Sequence, residues 1–569
     1  MSRGAAPERD TSNLASHAAR GALSTGLGLS ARLVIQTLSV VVLARVLEPR
    51  DYGLVAMVLA IVGIGDTLRD FGLSSAAIQA PDLSRAQRSN LFWTNTAIGL
   101  ALGLAVLAIA EPVAAFYHQS ELVPITRALA VTFLLNGMMT QLRADLVRSM
   151  RFQVVATIDV VAPGSALVLA VVLASLGAGY WALVAQQLVV AVVALIGCAL
   201  AARWLPSRYD RTVPMRHLYR FGGNLLGSQL VGYLANNVDA LTIGHRFGAT
   251  PLGIYNRAFQ LLMNPLNQVR APSTTVALPV LARAGYSKEY DKIVRTGQLM
   301  LAYPVTLGLS VLAGVAVPTV DILLGDAWSQ VPPILRFLAV AGIFQTLAYV
   351  GYWVYLSRGL TKQLLHYTLV SSAIRIVCVV GGSIWGVVGV AAGYALAPML
   401  AWPLSLWWLN RVTRLPVRSL YGGAARVLVV GLAAGLGSGG TAWALRSAPS
   451  IVELVAGVAA GLAVAALVIL AVPALRRDVP TVRSAVRAAL RRPRRGASGH
   501  AGSSDATAAA PAVEAAVEAV VDALVAEPAT VDLPDALPAA VLDDDVAERA
   551  ADHAEPAVRV PAPDEHRHV

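Results

Sequence analysis

A few ionisable and amide side chains interrupt the otherwise apolar stretches of this chain, and its chemistry would lie there. Arg32 stands one turn before Gln36. Asp66, Arg69 and Asp70 follow at three- and four-residue spacing, which puts them on one face of a helix. Asn236, Asn237 and Asp239 cluster in a later stretch, while Arg257, Arg270 and Arg375 stand more singly. Ionisable groups are costly inside a bilayer, so they face a bundle interior or a wet cavity and mark function by default. The chemistry on offer is binding, and no enzyme activity is expected. There is no Gly-x-x-x-x-Gly-Lys-Ser/Thr phosphate loop, and the chain has only three lysines, Lys288, Lys292 and Lys362. No His-Glu-x-x-His or Cys-x-x-Cys pattern occurs, so neither a cofactor nor a metal is expected.

The elements that must position these residues are membrane helices. A span needs about 20 mostly apolar residues, and fourteen such stretches run from Gly21 to Pro473. They fall near 21–46, 52–78, 90–110, 122–142, 154–176, 180–202, 217–244, 251–281, 296–317, 331–357, 363–384, 387–410, 422–446 and 450–473. Basic residues concentrate in every second gap, as at Arg143/Arg148/Arg151, Lys288/Lys292/Arg295 and Arg411/Arg414/Arg418. Cytoplasmic loops collect such cations, so both termini are expected in the cytoplasm. His118 and Asp326 then lie outside. The first stretch is too long for a signal peptide and reads as a retained span. Six Trp residues, Trp181, Trp328, Trp353, Trp402, Trp407 and Trp408, lie mostly near span ends and read as an interfacial belt, with stacking of a few on sugar rings as the alternative.

Composition agrees. Of the 569 residues, 56% are hydrophobic and 14% charged, against about 25% charged in a soluble domain. The net charge of +11 sums a basic membrane part and an acidic tail. It fits topology and anionic inner-leaflet lipid better than nucleic acid. Cys198 and Cys378 each sit in an apolar stretch and read as small hydrophobes. The expected organisation is an all-α polytopic membrane protein. Residues 1–20 form a cytoplasmic segment, 21–202 one six-helix lobe, 203–216 a cytoplasmic linker and 217–410 a second lobe. Residues 422–473 form two peripheral helices, 474–496 a basic juxtamembrane segment and 497–569 a disordered Ala/Pro-rich acidic tail.

An internal repeat links the lobes. A shift of 200 residues sets Gln36 against Asn236, Gly53 against Gly253, and Ser74 to Ile78 against Thr274 to Leu278. Spans one and seven both start in the cytoplasm, so the halves run in parallel. Parallel halves are one known way to build an alternating-access transporter, with the substrate site between them.

In their order along the spans, several motifs resemble the Wzx-type polysaccharide and O-antigen flippases of the MOP superfamily. They include Leu43-Ala-Arg-Val-Leu-Glu-Pro-Arg-Asp-Tyr-Gly-Leu54, Asp70-Phe-Gly-Leu-Ser-Ser-Ala-Ala-Ile-Gln79, Gly179-Tyr-Trp-Ala-Leu, Gly248-Ala-Thr-Pro-Leu-Gly-Ile-Tyr-Asn-Arg257 and Gly325-Asp-Ala-Trp328. The resemblance covers residues 20 to 475 and implies two lobes around a V-shaped cavity in the bacterial inner membrane. It also implies a monomer that moves a polyprenyl-diphosphate-linked oligosaccharide outward, alongside the polymerase and glycosyltransferases of the same pathway. A guanidinium offers a diphosphate planar, bidentate donors. Arg32, Gln36, Arg69, Asn236, Asp239 and Arg270 are therefore the cavity candidates, and Asp66, Asp70 and Asp239 the ion-coupling candidates. Alternatives stand beside several of these. Arg69 could equally pair with Asp66 and Asp70, Asp239 could belong to a hydrogen-bonded clamp, and Arg257 reads better as snorkelling to the outer interface. Rival functions are a drug or cation antiporter of the same fold, and a membrane polymerase or ligase. The short outside gaps disfavour the latter.

Overall fold

The computed structural model describes residues 31–70, 83–212, 215, 232–233, 235–285, 287–413 and 415–480, with only the backbone described at 66–70 and 271. In the first half the helices are α1 (Ala31–Ala44), α2 (Pro49–Asp70), α3 (Arg85–Ala108), α4 (Ala110–Tyr117), α5 (Leu122–Arg148), α6 (Phe152–Ser175) and α7 (Tyr180–Ala201). After α8 (235–247) come α9 (Ala249–Ala284), α10 (Lys288–Gly314), α11 (Ala316–Leu323), α12 (Val331–Ser357), α13 (Thr361–Gly382) and α14 (Gly386–Thr413). The last are α15 (Val417–Ala444), α16 (Ser450–Ala471) and the short α17 (Pro473–Arg476). Among the described residues nine helices are long and apolar enough to cross a membrane, the longest of them being α13 and α14 run together. The chain is an all-α, multi-pass membrane protein.

Local signals set the helix starts. Ser84 and Gln87 form a capping box, with Ser84 Oγ accepting from the Gln87 amide at 3.1 Å and Gln87 Oε1 from the Ser84 amide at 3.0 Å. Ser287 Oγ caps α10, and Glu289 and Asp291 in its first turn complement the helix dipole. Several helices run past the expected span into the basic gaps. α5 extends to Arg148 and α10 starts at Lys288. Ion pairs support such extensions: Arg88 reaches Asp145 at 3.0 Å, and Arg143 grips Asp159 with two bonds of 2.7 Å.

Helices α2, α3, α5, α6 and α7 pack with one another, as do α9, α10, α12, α13 and α14. α15 lies along α10, and α16 lies along α15. Residues 203–212 are pinned under the first group. Asn90 donates to the Asp210 carbonyl at 2.7 Å and accepts from its amide at 2.9 Å, while Trp93 donates to the Ser207 carbonyl at 2.8 Å. The Thr212 hydroxyl, and then its amide, hold the Asp210 carboxyl below the ordinary carboxylate range.

The two groups meet where α2 crosses α9. A Cβ added at Gly53 would overlap the Ala249 carbonyl oxygen and lie 2.8 Å from the Ala249 Cα. One added at Gly253 would overlap the Pro49 carbonyl oxygen and lie 3.0 Å from the Gly53 amide nitrogen. The contacts are reciprocal under the 200-residue shift, so the repeat is visible in packing as well as sequence. A second echo is the break after the third helix of each half, where α3 gives way to α4 and α10 to α11. The motif at 74–78, the N-terminal 20 residues and everything past 480 lie outside the described residues.

Candidate functional site

α9 presents the main polar face. Its 36 residues include Pro265, Pro272 and Pro279, each of which removes a helix hydrogen bond and crowds the preceding turn. Asn267 and Arg270 lie one turn apart between the first two. Arg270 is only 5% exposed. Its Nη2 donates to Asn267 Oδ1 at 2.6 Å, and both Nη atoms lie 3.3 Å from Gln345 Oε1 on α12. The guanidinium also lies 5.8 Å from the Tyr349 ring, while its Nε has no partner. Among the described residues no carboxylate pairs with it. A buried cation held by amide oxygens and a ring face keeps its charge available to an anion.

The arrangement continues through Gln345, whose Nε2 donates to Tyr394 Oη at 3.4 Å on α14. The Tyr394 ring lies 5.6 Å from the Arg375 guanidinium on α13, and Arg375 donates to Asn236 Oδ1 on α8. One turn along α8, Asp239 is buried and accepts from Tyr255 Oη at 2.6 Å. Asn236, Asp239 and Arg270 are thus brought into one polar belt of the second half, buried at Asp239 and Arg270 and exposed at Asn236.

The first-half candidates sit elsewhere. Gln36 Oε1 accepts from Gln268 Nε2 at 3.2 Å, a bond between α1 and α9 that joins the two groups. Arg32, one turn earlier on α1, is exposed. The side chains of Asp66, Arg69 and Asp70 lie outside the described residues, although their backbone forms the last turns of α2.

Two expectations are corrected. Arg257 does not snorkel. It is 5% exposed, and its guanidinium stacks 3.5 Å above the Tyr52 ring while Nη1 donates to Gln260 at 2.9 Å. The cause is the α2–α9 crossing, which brings an aromatic ring from the other half over it. The tryptophans are not all a belt either: Trp328, Trp353 and Trp402 are buried. Trp328 Nε1 donates to the Ala44 carbonyl at 2.9 Å and Trp353 Nε1 to Thr274 Oγ1 at 3.2 Å. Sequence reasoning also passed over Gln345, Tyr394, Tyr255 and Asn267. A lone amide midway along the apolar stretch 331–357 was the available signal for Gln345.

Residues 42–333 match the model of the family described as "Polysaccharide biosynthesis protein". The chain belongs to this family. Its relatives include the lipopolysaccharide biosynthesis protein WzxC of Escherichia coli (strain K12), 23% identical over 63% of this chain and 74% of that protein. The teichuronic acid biosynthesis protein TuaB of Bacillus subtilis (strain 168) is 29% identical over 51% of this chain. The succinoglycan biosynthesis transport protein ExoT of Rhizobium meliloti (strain 1021) is 28% identical over 54%. The match spans only 61% of TuaB and 62% of ExoT. Among solved structures, lipid II flippase MurJ in an inward closed conformation superposes with a TM-score of 0.60 at 12% identity, covering 78% of this chain and 98% of MurJ. An inward-facing MATE-family transporter of the MOP superfamily gives 0.54 at 16% identity, covering 69% and 98%. The chain thus has the MOP-like fold of these two proteins.

Proposed function

We propose that this protein flips polyprenyl-diphosphate-linked oligosaccharide repeat units outward across the bacterial inner membrane by alternating access, acting as a transporter and not as an enzyme. The observation that carries the reading is Arg270, a buried guanidinium with amide and aromatic partners and an unpaired Nε. A diphosphate arriving in the cleft would take over those donors, with bonds between opposite charges in place of bonds to neutral amides. The names of WzxC, TuaB and ExoT support a glycan cargo, and that of MurJ a lipid-linked one. Arg32 and Gln36 on the first half complete the headgroup site, and Arg69 remains a candidate for it on its sequence position alone. The two helix groups are the lobes, α15 and α16 are peripheral, and the protein works as a monomer beside the polymerase and glycosyltransferases of its pathway. Both termini are cytoplasmic on the arginine pattern.

Lipid-linked glycan analysis in a deletion strain tests the function. An inward-facing intermediate should accumulate and disappear on complementation. Unchanged glycans with increased drug sensitivity would transfer the assignment to an antiporter, with Asp239 as its coupling carboxylate.

A further inference from the structure

A second cationic site lies away from the polar belt, where the start of α10, the start of α15 and the residues just past α17 converge. It is a cavity of about 300 Å³ whose rim carries Lys292, Arg295 and Arg477 against Asp291. Asp478 also lines it but is already neutralised. Arg426 of α15 grips it through Nε at 2.7 Å and Nη2 at 3.1 Å, and Tyr303 Oη donates to it at 3.0 Å. Asp478 is 4% exposed, so this clamp fixes the backbone at 477–478 and holds Arg477 at the mouth. Arg295 and Arg477 alone set two guanidinium charges against the Asp291 carboxylate.

The surroundings favour an anion further. α15 opens at the rim with Pro416 and Ser419, has no acidic residue in its first turn and no side-chain cap, and so presents the positive end of its dipole there. Pro416 and buried Leu299 add apolar lining beside the charged residues, and buried Thr296 adds a hydroxyl. The loops flanking Lys288 and Arg414 are among the cation-rich ones, which places the site on the face bearing anionic inner-leaflet lipid. A cationic rim with apolar lining beside it, at headgroup level between helices, matches the two ends of a phospholipid.

We infer that this cavity binds the headgroup of an anionic glycerophospholipid, with Arg295 and Arg477 on its phosphate, and so ties the start of the basic segment after the last span to the membrane. The assignment does not depend on the cargo. The binding of phosphatidylglycerol by the full chain in detergent, followed by native mass spectrometry, is the test.

The wild type should retain phosphatidylglycerol over phosphatidylcholine, and Arg295→Ala with Arg477→Ala should lower that occupancy about tenfold or more. The charge-keeping pair Arg295→Lys with Arg477→Lys should retain most of it. Arg203→Ala with Arg208→Ala, on the linker between the helix groups, should leave it unchanged. Millimolar inorganic phosphate should not displace the lipid. Equal phosphatidylglycerol occupancy in the double-Ala variant would overturn the assignment, as would full displacement by inorganic phosphate. Loss in the Lys pair as great as in the Ala pair would also overturn it, because the site would then depend on packing and not on charge.

Discussion

The belt around Arg270 separates two kinds of buried polar residue by what each leaves behind when removed. Arg270→Ala deletes a cation but leaves neutral amides, Asn267 and Gln345, which can bond each other or water. The protein should reach the membrane at near-normal levels and lose flipping. Arg270→Lys should restore it only in part, since an ammonium keeps the charge without the planar fork. Complementation with quantified membrane levels reads both, and normal complementation by Arg270→Ala would remove it from the headgroup site. Asp239 behaves oppositely. Asp239→Ala strands the buried Tyr255 hydroxyl, at about 1–3 kcal/mol for an unsatisfied buried group. Abundance should therefore fall, whereas Asp239→Asn can still accept from Tyr255 and should preserve it. Equal abundance of the two variants would mean that the Tyr255 bond carries no stability. The sequence named Arg270, Asp239 and Asn236 because a charge or amide inside an apolar stretch is conspicuous in one dimension. It could not supply Gln345, Tyr394 or the ring under Arg257, because those partners come from other helices and only packing brings them close.

At the scale of elements, the α2–α9 crossing is the closest approach made at any glycine among the described residues. Gly53 and Gly253 let two backbones touch, and the absent Cβ atoms are what allow it. Small residues are the usual means of close helix approach in a membrane, where association rests on van der Waals packing. Gly53→Ala and Gly253→Ala should each force the helices apart and, because the contacts are reciprocal, by similar amounts. Spin labels on Glu48→Cys and Thr250→Cys, at the exposed ends of the two helices, should report a longer distance in either Ala variant. An unchanged distance would mean that the crossing tolerates a methyl group. Both glycines were already aligned by the repeat, but alignment says nothing about contact, and the reciprocity emerged only in three dimensions. Span ends were the least legible part. α5 and α10 run beyond their apolar windows because ion pairs and caps, which hydropathy does not register, continue to stabilise the helix. The short α4 and α11 escaped notice because their residues read as span tails and gaps.

For the whole molecule, the question is which contacts must break for the cavity to change sides. The joints between the helix groups, apart from the Gly53–Gly253 crossing, include the Gln36–Gln268 bond, the Tyr233 hydroxyl on the Leu59 carbonyl and His245 against Phe116. Arg45 donates to the carbonyls of Asp321, Ile322 and Leu323 at the end of α11, Trp328 bonds the Ala44 carbonyl, and Arg257 stacks on Tyr52. Among the described residues no salt bridge crosses between the groups; Arg50–Glu121 and Arg127–Glu111 both stay within the first. Opening therefore exposes backbone carbonyls and rings that water or headgroups can satisfy, without separating a buried ion pair. The Arg45, Trp328, Arg257 and His245 joints lie beside the gaps after spans one and seven, the outer side on the arginine pattern, while Gln36–Gln268 and Tyr233–Leu59 lie further along the spans. Impermeant cysteine labelling in intact cells should therefore reach His118→Cys and Asp326→Cys but not Arg208→Cys, and labelling at 208 would invert the orientation. The stronger test concerns motion. If transport requires the outer ends of α2 and α9 to part, bridging Glu48→Cys and Thr250→Cys with a short bis-maleimide should stop flipping. The same pair capped by a monofunctional maleimide should continue, which removes modification itself as the cause. Flipping at the uncrosslinked rate in the bridged protein would show that the crossing stays closed throughout the cycle. The cargo would then have to leave by a route that does not separate the two groups.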